Sequence, residues 1–372
     1  MIVCRGILWY NVRCMNIRPA SAGSEHQKEE HIPIMLTRYI GIDLGTANTV
    51  IFARSKGIIL REPSVVAVST KNDSAVSVGK EAKEIIGRTP GSIVAVHPLK
   101  DGVIADFDIA STMLQEFIRK TLKGTVFRHA RVLICIPTGV TAVERRAVKE
   151  AAEKAGARPV QLVQAPLAAA LGAGLSVTEP TGTMIVDIGG GMSQSAVISM
   201  GGIVASRSIR TAGDAFDAAI VSYVRKKYSL LIGERTAESV KIGIGSAFPE
   251  TEVSTMEIRG RNLLNGLPEN ITVTSDEIRE ALSEPLSHIL DAVRETLSRT
   301  PPELSADVIE QGITLTGGSA LLRGLDKLIN RETGMPVYVA EFPLDCVAEG
   351  TGKILEHPEQ YEELFAEDVR YF

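Results

Sequence analysis

The chain has 372 residues, of which 44% are apolar and 23% charged, with 40 Lys+Arg set against 45 Asp+Glu. That length supports two or three packed domains, and the composition excludes wholesale disorder. A net charge of -5 excludes a general nucleic-acid binder that relies on bulk basicity. Cys4, Cys14, Cys135 and Cys346 form no C-x-x-C pair, which fits a reducing cytosol. No apolar run approaches the ~18 residues that cross a bilayer, and no secretory cleavage pattern is present.

In chain order, residues 1–38 read as a disordered leader, with Met35 placed just before the first strongly patterned strand. Within it, Ile7, Leu8, Trp9 and Val12 beside Arg5 and Arg13 form a weak interfacial pattern. Residues 39–54 predict an apolar strand, the turn Asp43-Leu44-Gly45-Thr46-Ala47-Asn48, and a returning strand. An irregular insertion covers about 61–105, and a helix follows over 109–122. The stretch 131–174 predicts a strand at 132–136, a helix at 142–155, a short strand ending in Gln164-Ala165-Pro166, and an Ala-rich helix.

The same order then returns. Residues 183–199 predict strand, Asp187-Ile188-Gly189-Gly190-Gly191, and strand; 312–355 predict strand, Gly317-Gly318-Ser319, helix, strand and helix. A second insertion at about 228–274 holds a helix at 234–246 and short alternating stretches at 253–259 and 271–274. A helix over 275–298 follows, started by Thr274 or Ser275 before Asp276 and Glu277. The chain therefore predicts an α/β protein made of two copies of one unit. The first lobe is 39–177 and the second 178–360, each with a smaller subdomain, and 361–372 is a tail.

Glycine-rich turns at strand ends let backbone N–H groups approach an anion, so each hairpin turn is a candidate phosphate cradle. Alone, either is equally a plain hairpin; a matched pair facing one cleft argues for the cradle. Asp43 and Asp187 would then converge where Mg²⁺ can bridge carboxylates and polyphosphate oxygens. Gly317-Gly318-Ser319-Ala320 follows a strand and opens a helix, so it either contacts a nucleotide or is a simple turn. Gly213-Asp214 precedes another helix, with Asp214 either at the ligand or an N-cap. Glu238 and Lys241, one helical turn apart, either bond ribose hydroxyls or form a solvated pair.

The segments GIDLGTANT (41–49), HPLKDGVIADFD (97–108), IPTGVTAVERRAV (136–148), EPTGTMIVDIGGG (179–191), GERTAESVKIGIGSA (233–247) and LTGGSALLRGLD (315–326) resemble the bacterial actin homologue MreB and its Mbl paralogues. The resemblance runs from about residue 39 to near the C-terminus. It implies an actin-like, ribonuclease H-like duplicated fold of four subdomains with ATP and Mg²⁺ in the central cleft. It also implies double filaments on the inner face of the cytoplasmic membrane that guide cell shape and cell-wall synthesis. Partners so implied are copies of itself, MreB-type paralogues, anionic membrane, and cell-wall and shape proteins. Carried over by position, Gly45, Thr46, Ala47 and Asn48 and Gly189, Gly190 and Gly191 would hold phosphates, and Asp43 and Asp187 the metal. Glu238 and Lys241 would serve the ribose or base, with Gly213 and Asp214 beside them and Gly317 to Ala320 on the adenine side.

Members of that family read Glu-Glu-Pro and Gly-Gly-Gly-Thr-Thr-Glu where this chain has Gln164-Ala165-Pro166 and Gly189-Gly190-Gly191-Met192-Ser193-Gln194. The second glutamate and the first threonine are the groups thought to prepare the attacking water, so Ala165 and Met192 predict binding without efficient turnover. Gln164 offers a substitute amide, but one residue along a helix rotates the side chain by ~100°. After the helix at 109–122, Val126 and Phe127 sit among Arg119, Lys120, Lys123, Arg128 and Arg131. They are either a membrane-dipping loop, as the resemblance implies, or a core contact with a solvated basic face. Two rival functions share the duplicated fold, a small-molecule kinase and a chaperone-like ATPase. The missing acids and the absence of sequence for a substrate-binding domain after Phe372 count against them.

Overall fold

A computed structural model describes residues 38–85, 91–121, 130–249, 251–361 and 364–365. Two five-stranded sheets carry the architecture. In the first, the antiparallel hairpin Arg38–Leu44 and Asn48–Ala53 is extended on one side by Gly57–Pro63. On the other side Ala130–Ile136 and then Ala157–Gln164 add in parallel. In the second sheet Thr183–Ile188, Ser193–Ser199 and Gly202–Ile209 make the antiparallel part, and Ile313–Thr316 and Val337–Val339 the parallel part. Both sheets read third, second, first, fourth, fifth strand of their repeat, so the sequence duplication is also a duplication of topology. The strands nearest the middle, Thr183–Ile188 and Ser193–Ser199, are buried along their whole length, as sheets covered on both faces require.

The repeats exchange their last helices. Ala165–Gly172 packs on strands of the second sheet as well as its own, while Cys346–Glu356 packs on the first sheet. A boundary at 178–360 drawn from sequence therefore puts the helix Cys346–Glu356 in the wrong lobe: chain order follows the repeat, but its apolar face is covered by the other sheet. The two helices cross nearly backbone to backbone, and only small residues allow it. A Cβ on Gly172 would lie 1.7 Å from the Cys346 carbonyl oxygen, and one on Gly350 1.8 Å from that of Ala168. A buried cluster containing Ala168, Leu171, Ile185, Val347 and Ile354 fills the junction. Separate cores lie in the first lobe around Met113, Leu114 and Phe117 and in the second around Phe216, Ile220 and Leu286.

The first insertion is a three-stranded sheet, Ala75–Val78, Val66–Ser69 and Ile93–Val96, with the helix Lys80–Ile85. Residues 61–63, assigned to that insertion from sequence, belong instead to the strand Gly57–Pro63 of the main sheet, where they pair with Val50, Thr49 and Asn48 beyond a bulge at Ile51/Phe52. The second insertion pairs Leu230–Leu231, Thr255–Asn262 and Pro268–Thr274 beside the helix Glu234–Ile244. Part of the predicted tail is built in: Leu364 is buried, and Phe365 bridges to Val163 at the edge of the first sheet.

The helix Ser275–Ser298 starts where its capping chemistry dictates. Thr274 accepts the Glu277 N–H, and the Glu277 carboxylate accepts the Thr274 N–H at 2.8 Å. Glu277 also accepts from Tyr228, and Lys227 pairs with it at 2.7 Å. Burial pushes the Glu277 carboxyl up, but the hydrogen bonds from Lys227, Tyr228 and Thr274 win and bring it from 4.5 to about 2. A carboxyl depressed in this way adds stability above its unfolded pKa and loses it as pH falls through the folded one. Glu277→Gln should therefore cost about 1–2 kcal/mol in urea denaturation at pH 7. The difference from wild type should close between pH 4.5 and about 2.

Candidate functional site

The two hairpin turns meet at the floor of a cleft between the lobes. They are in van der Waals contact: a Cβ on Gly190 would lie 2.6 Å from the Ala47 Cβ, and one on Gly191 2.8 Å from the Thr46 side chain. Thr46 Oγ1 accepts the Gly102 N–H at 3.0 Å, and Ser64 donates to the Gly45 carbonyl at 2.6 Å, which fixes the first turn. The second turn is held by the helix Gly213–Tyr228, whose first N–H groups, from Gly213 and Asp214, donate to the carbonyls of Gly189 (3.2 Å) and Gly190 (2.7 Å). Asp214 is thus inside the helix; the N-cap is Ala212. Ser319 adds a third tie, donating to Gly189 O at 2.8 Å.

The cleft holds about 400 Å³ of free space, the size of an ordinary small-ligand site. It is lined by Asp43, Gly45 to Asn48, Ala165, Asp187, Gly189 to Met192, Gly213, Asp214, Glu238, Lys241, Gly318 and Ser319. Three residues singled out from sequence do not line it. Gln164 ends its strand as the N-cap before Ala165, so the amide is no substitute for the missing acid. Gly317, at φ +84, is the bend itself, where a Cβ would strike the Ile188 carbonyl at 2.3 Å. Ala320 is 2% exposed and belongs to the core. The predicted helix after Gly317 is first a 3-10 turn, Gly318–Leu321, and the α-helix starts later as Leu325–Thr333. Glycines at two levels (Gly317, Gly324) break the helical run, and Gly324 is the left-handed residue before the new start.

Electrostatics mark the floor. Burial and the charge of Asp187 push the Asp43 carboxyl up to about 7, and burial pushes Asp187 to about 6 against a hydrogen bond from Thr316 at 3.2 Å. Two desolvated carboxylates side by side suit a hard divalent cation. Among the described residues no third His, Cys, Asp or Glu joins them. A Mg²⁺ held here would keep waters or ligand phosphates for its other positions.

At the mouth, Glu238 and Lys241 do not pair with each other. Glu238 reaches across to Lys83 of the first lobe at 3.2 Å, and Lys241 bonds Asp217 at 2.9 Å and the Gly213 carbonyl at 3.1 Å. Asp217 was not apparent from sequence, although its place three residues after Asp214 on one helix face was a usable signal. Gln194 and Thr138, also unselected, meet on the floor, where the Thr138 N–H donates to Gln194 at 2.9 Å. The Met192 side chain ends against Gly102 of the first lobe, where a Cβ would meet its methyl at 3.0 Å. The helix Phe107–Thr121 buries Met113, Leu114, Phe117 and Ile118, and its cations Arg119 and Lys120 pair with Glu116 and Glu62. Val126 and Phe127 lie outside the described residues.

A duplicated α/β fold whose paired glycine turns close on a carboxylate-floored cleft defines a two-lobed, actin-like protein. The chain matches the MreB/Mbl protein family over residues 37–363 and belongs to that family. It is 53% identical over 323 residues to the cell shape-determining protein Mbl of Bacillus subtilis, covering 87% of this chain and 97% of that protein. It is also 53% identical over 340 residues to the cell shape-determining protein MreB of Escherichia coli K12, covering 90% and 98%. Among solved structures, MreB 5 of Spiroplasma citri bound to AMPPNP superposes with a TM-score of 0.84 at 40% identity, covering 88% of this chain and 98% of that one.

The contact between the turns sets a steric test. Gly190→Ala places its Cβ 2.6 Å from that of Ala47, whereas Gly189→Ala meets nothing nearer than 3.4 Å. Overpacking of the first kind should weaken nucleotide affinity by about tenfold or more. The Gly189 variant should stay within about threefold, both read by calorimetric titration.

Proposed function

We propose that this protein is an ATP-binding, actin-like cytoskeletal subunit that assembles into filaments at the inner face of the cytoplasmic membrane and directs cell shape and wall synthesis. The observation that carries the reading is the pair of facing glycine turns over Asp43 and Asp187, within a chain whose curated relatives are named cell shape-determining proteins. The AMPPNP named for the related Spiroplasma structure supports an adenine nucleotide as ligand. Gly45 to Asn48 and Gly189 to Gly191 would hold its phosphates and Asp43 and Asp187 a Mg²⁺, which supplies charge neutralisation there. Glu238, Lys241, Gly213, Asp214, Gly318 and Ser319 would frame the sugar and base, with Gly317 and Ala320 behind them shaping the bend. No helix among the described residues is long and apolar enough to cross a membrane. Attachment would therefore be peripheral, through Val126 and Phe127 and neighbouring cations. Filaments would form from its own copies, with or without MreB-type paralogues, and recruit wall-synthesis partners.

Hydrolysis would be slow. Ala165, 8% exposed at the head of its helix and lining the cleft, offers no acceptor to a water, and the Met192 thioether is a poor one. A glutamate at position 165 would sit in the first turn of a helix, where its charge is favoured.

Two measurements test this. Pelleting with ATP and anionic liposomes should bring the protein down as filaments on vesicles; soluble monomers under all conditions would defeat the cytoskeletal reading. Phosphate release by the double variant Ala165→Glu, Met192→Thr should exceed wild type by about 10²-fold or more, the usual value of a positioned acid or base. Equal rates would show that these two positions do not limit turnover.

A further inference from the structure

The strands Arg38–Leu44 and Ala130–Ile136 both run toward the cleft, which Asp43 and Ile136 line, so both begin at the opposite end of the first sheet. At that end Tyr39 is level with Arg131 in the parallel register, and on its other side its carbonyl accepts the Arg54 N–H at 3.1 Å. Residues level with one another on neighbouring strands share a face. Both guanidiniums accordingly lie against the one ring, Arg54 at 5.2 Å and Arg131 at 5.7 Å from its centroid. Tyr39 is half-buried against the core beneath it, whereas Arg54 and Arg131 are exposed.

Two like charges gathered on one ring repel, and the attraction of each for the ring offsets only part of that cost. Arg61, Arg119, Arg207 and Arg294 each have a carboxylate partner. Arg54 and Arg131 have none among the described residues, and the exposed Lys56 and Arg158 add to the positive charge at this end of the sheet. Planar donor forks without a counter-ion suit a phosphate oxyanion. The cluster is not part of the cleft, because Tyr39 precedes Asp43 by four residues of strand, ~13 Å. It is instead close in chain to the apolar pair Val126 and Phe127: Phe127 comes four residues before Arg131, which holds the two within ~14 Å. A tyrosine, with an apolar body and a polar tip, is also the ring that membrane interfaces favour. These features point to a phosphate carried by a lipid.

We propose that Arg54 and Arg131, held in place by the Tyr39 ring, bind the phosphate of an anionic lipid headgroup. The end of the first sheet is then a membrane contact of its own, separate from the apolar pair. The assignment rests on the peripheral attachment read above and goes beyond it by placing a headgroup site on the folded sheet.

The test is flotation of the full chain with ATP on vesicles of phosphatidylcholine alone and of an equal mixture with phosphatidylglycerol. Arg54→Gln with Arg131→Gln should weaken partitioning onto the mixed vesicles by about tenfold or more. Arg225→Gln with Lys226→Gln removes the same charge from exposed residues of the second lobe and should change it by less than about twofold. Tyr39→Leu, which keeps apolar bulk without the ring, should cost about threefold. Unchanged thermal melting of the double variants is the check on folding. Equal losses from the two double variants would reduce the effect to net charge and overturn the proposal, as would equal binding of wild type to both kinds of vesicle. Release of wild type by millimolar inorganic phosphate at constant ionic strength would also overturn it, by making the site one for free phosphate. Wild type floating with neither kind of vesicle would defeat the attachment reading itself, and this assignment with it.

Discussion

The near-contact of two helix backbones, Ala165–Gly172 against Cys346–Glu356, is the constraint on which the rest of the molecule depends. Each helix belongs by sequence to one repeat and by packing to the opposite sheet, so neither sheet has a complete core alone. At such close approach dispersion and burial act over the whole crossing, and any added side-chain atom has nowhere to go. The crossing also sets the cleft. The first helix starts at Ala165 on the floor, and the second starts beside Leu344 and Val347, which line the same space. The helix crossing and the contact between the glycine turns therefore bound the same cleft from two levels.

Much of this was legible in the sequence because the physics involved is local. The hairpins announce themselves as apolar runs broken by Asp and glycine, and the start of the helix Ser275–Ser298 is written in Thr274 and Glu277 three residues apart. Repetition made the topology readable, since one unit that recurs predicts one sheet that recurs. The helix exchange was not readable: an Ala-rich helix with apolar residues all round does not say which sheet will cover it, and chain proximity favours the wrong answer. The early part of the 317–324 segment failed for a different reason. Strand, glycines and apolar residues predict a helix, but the bend at Gly317 and the left-handed Gly324 interrupt the ladder twice.

At the site, sequence identified residues whose types carry a known chemistry and missed those whose importance comes from position. Glycines and aspartates at turns were found. Gln194 was passed over as part of a changed motif, and Thr138 as part of an ordinary strand-to-helix turn; only the register of Gln194 with Asp187 and the reach of Thr138 across the lobes give them meaning. Lys83 could not be linked to Glu238 by any rule of spacing, being 155 residues away. Charge balance at the floor follows the same logic: Asp43 and Asp187 are ordinary aspartates until two separate strands bring them together out of water.

The pair at the mouth gives the cleft an uneven stiffness. Lys83 and Glu238 are each 40% exposed, so their attraction is worth no more than ~1 kcal/mol and is screened within ~8 Å at physiological ionic strength. The floor is instead a steric seam of glycine backbone and small side chains. Salt should therefore loosen the contact at the rim well before it disturbs the crossing of the helices beneath.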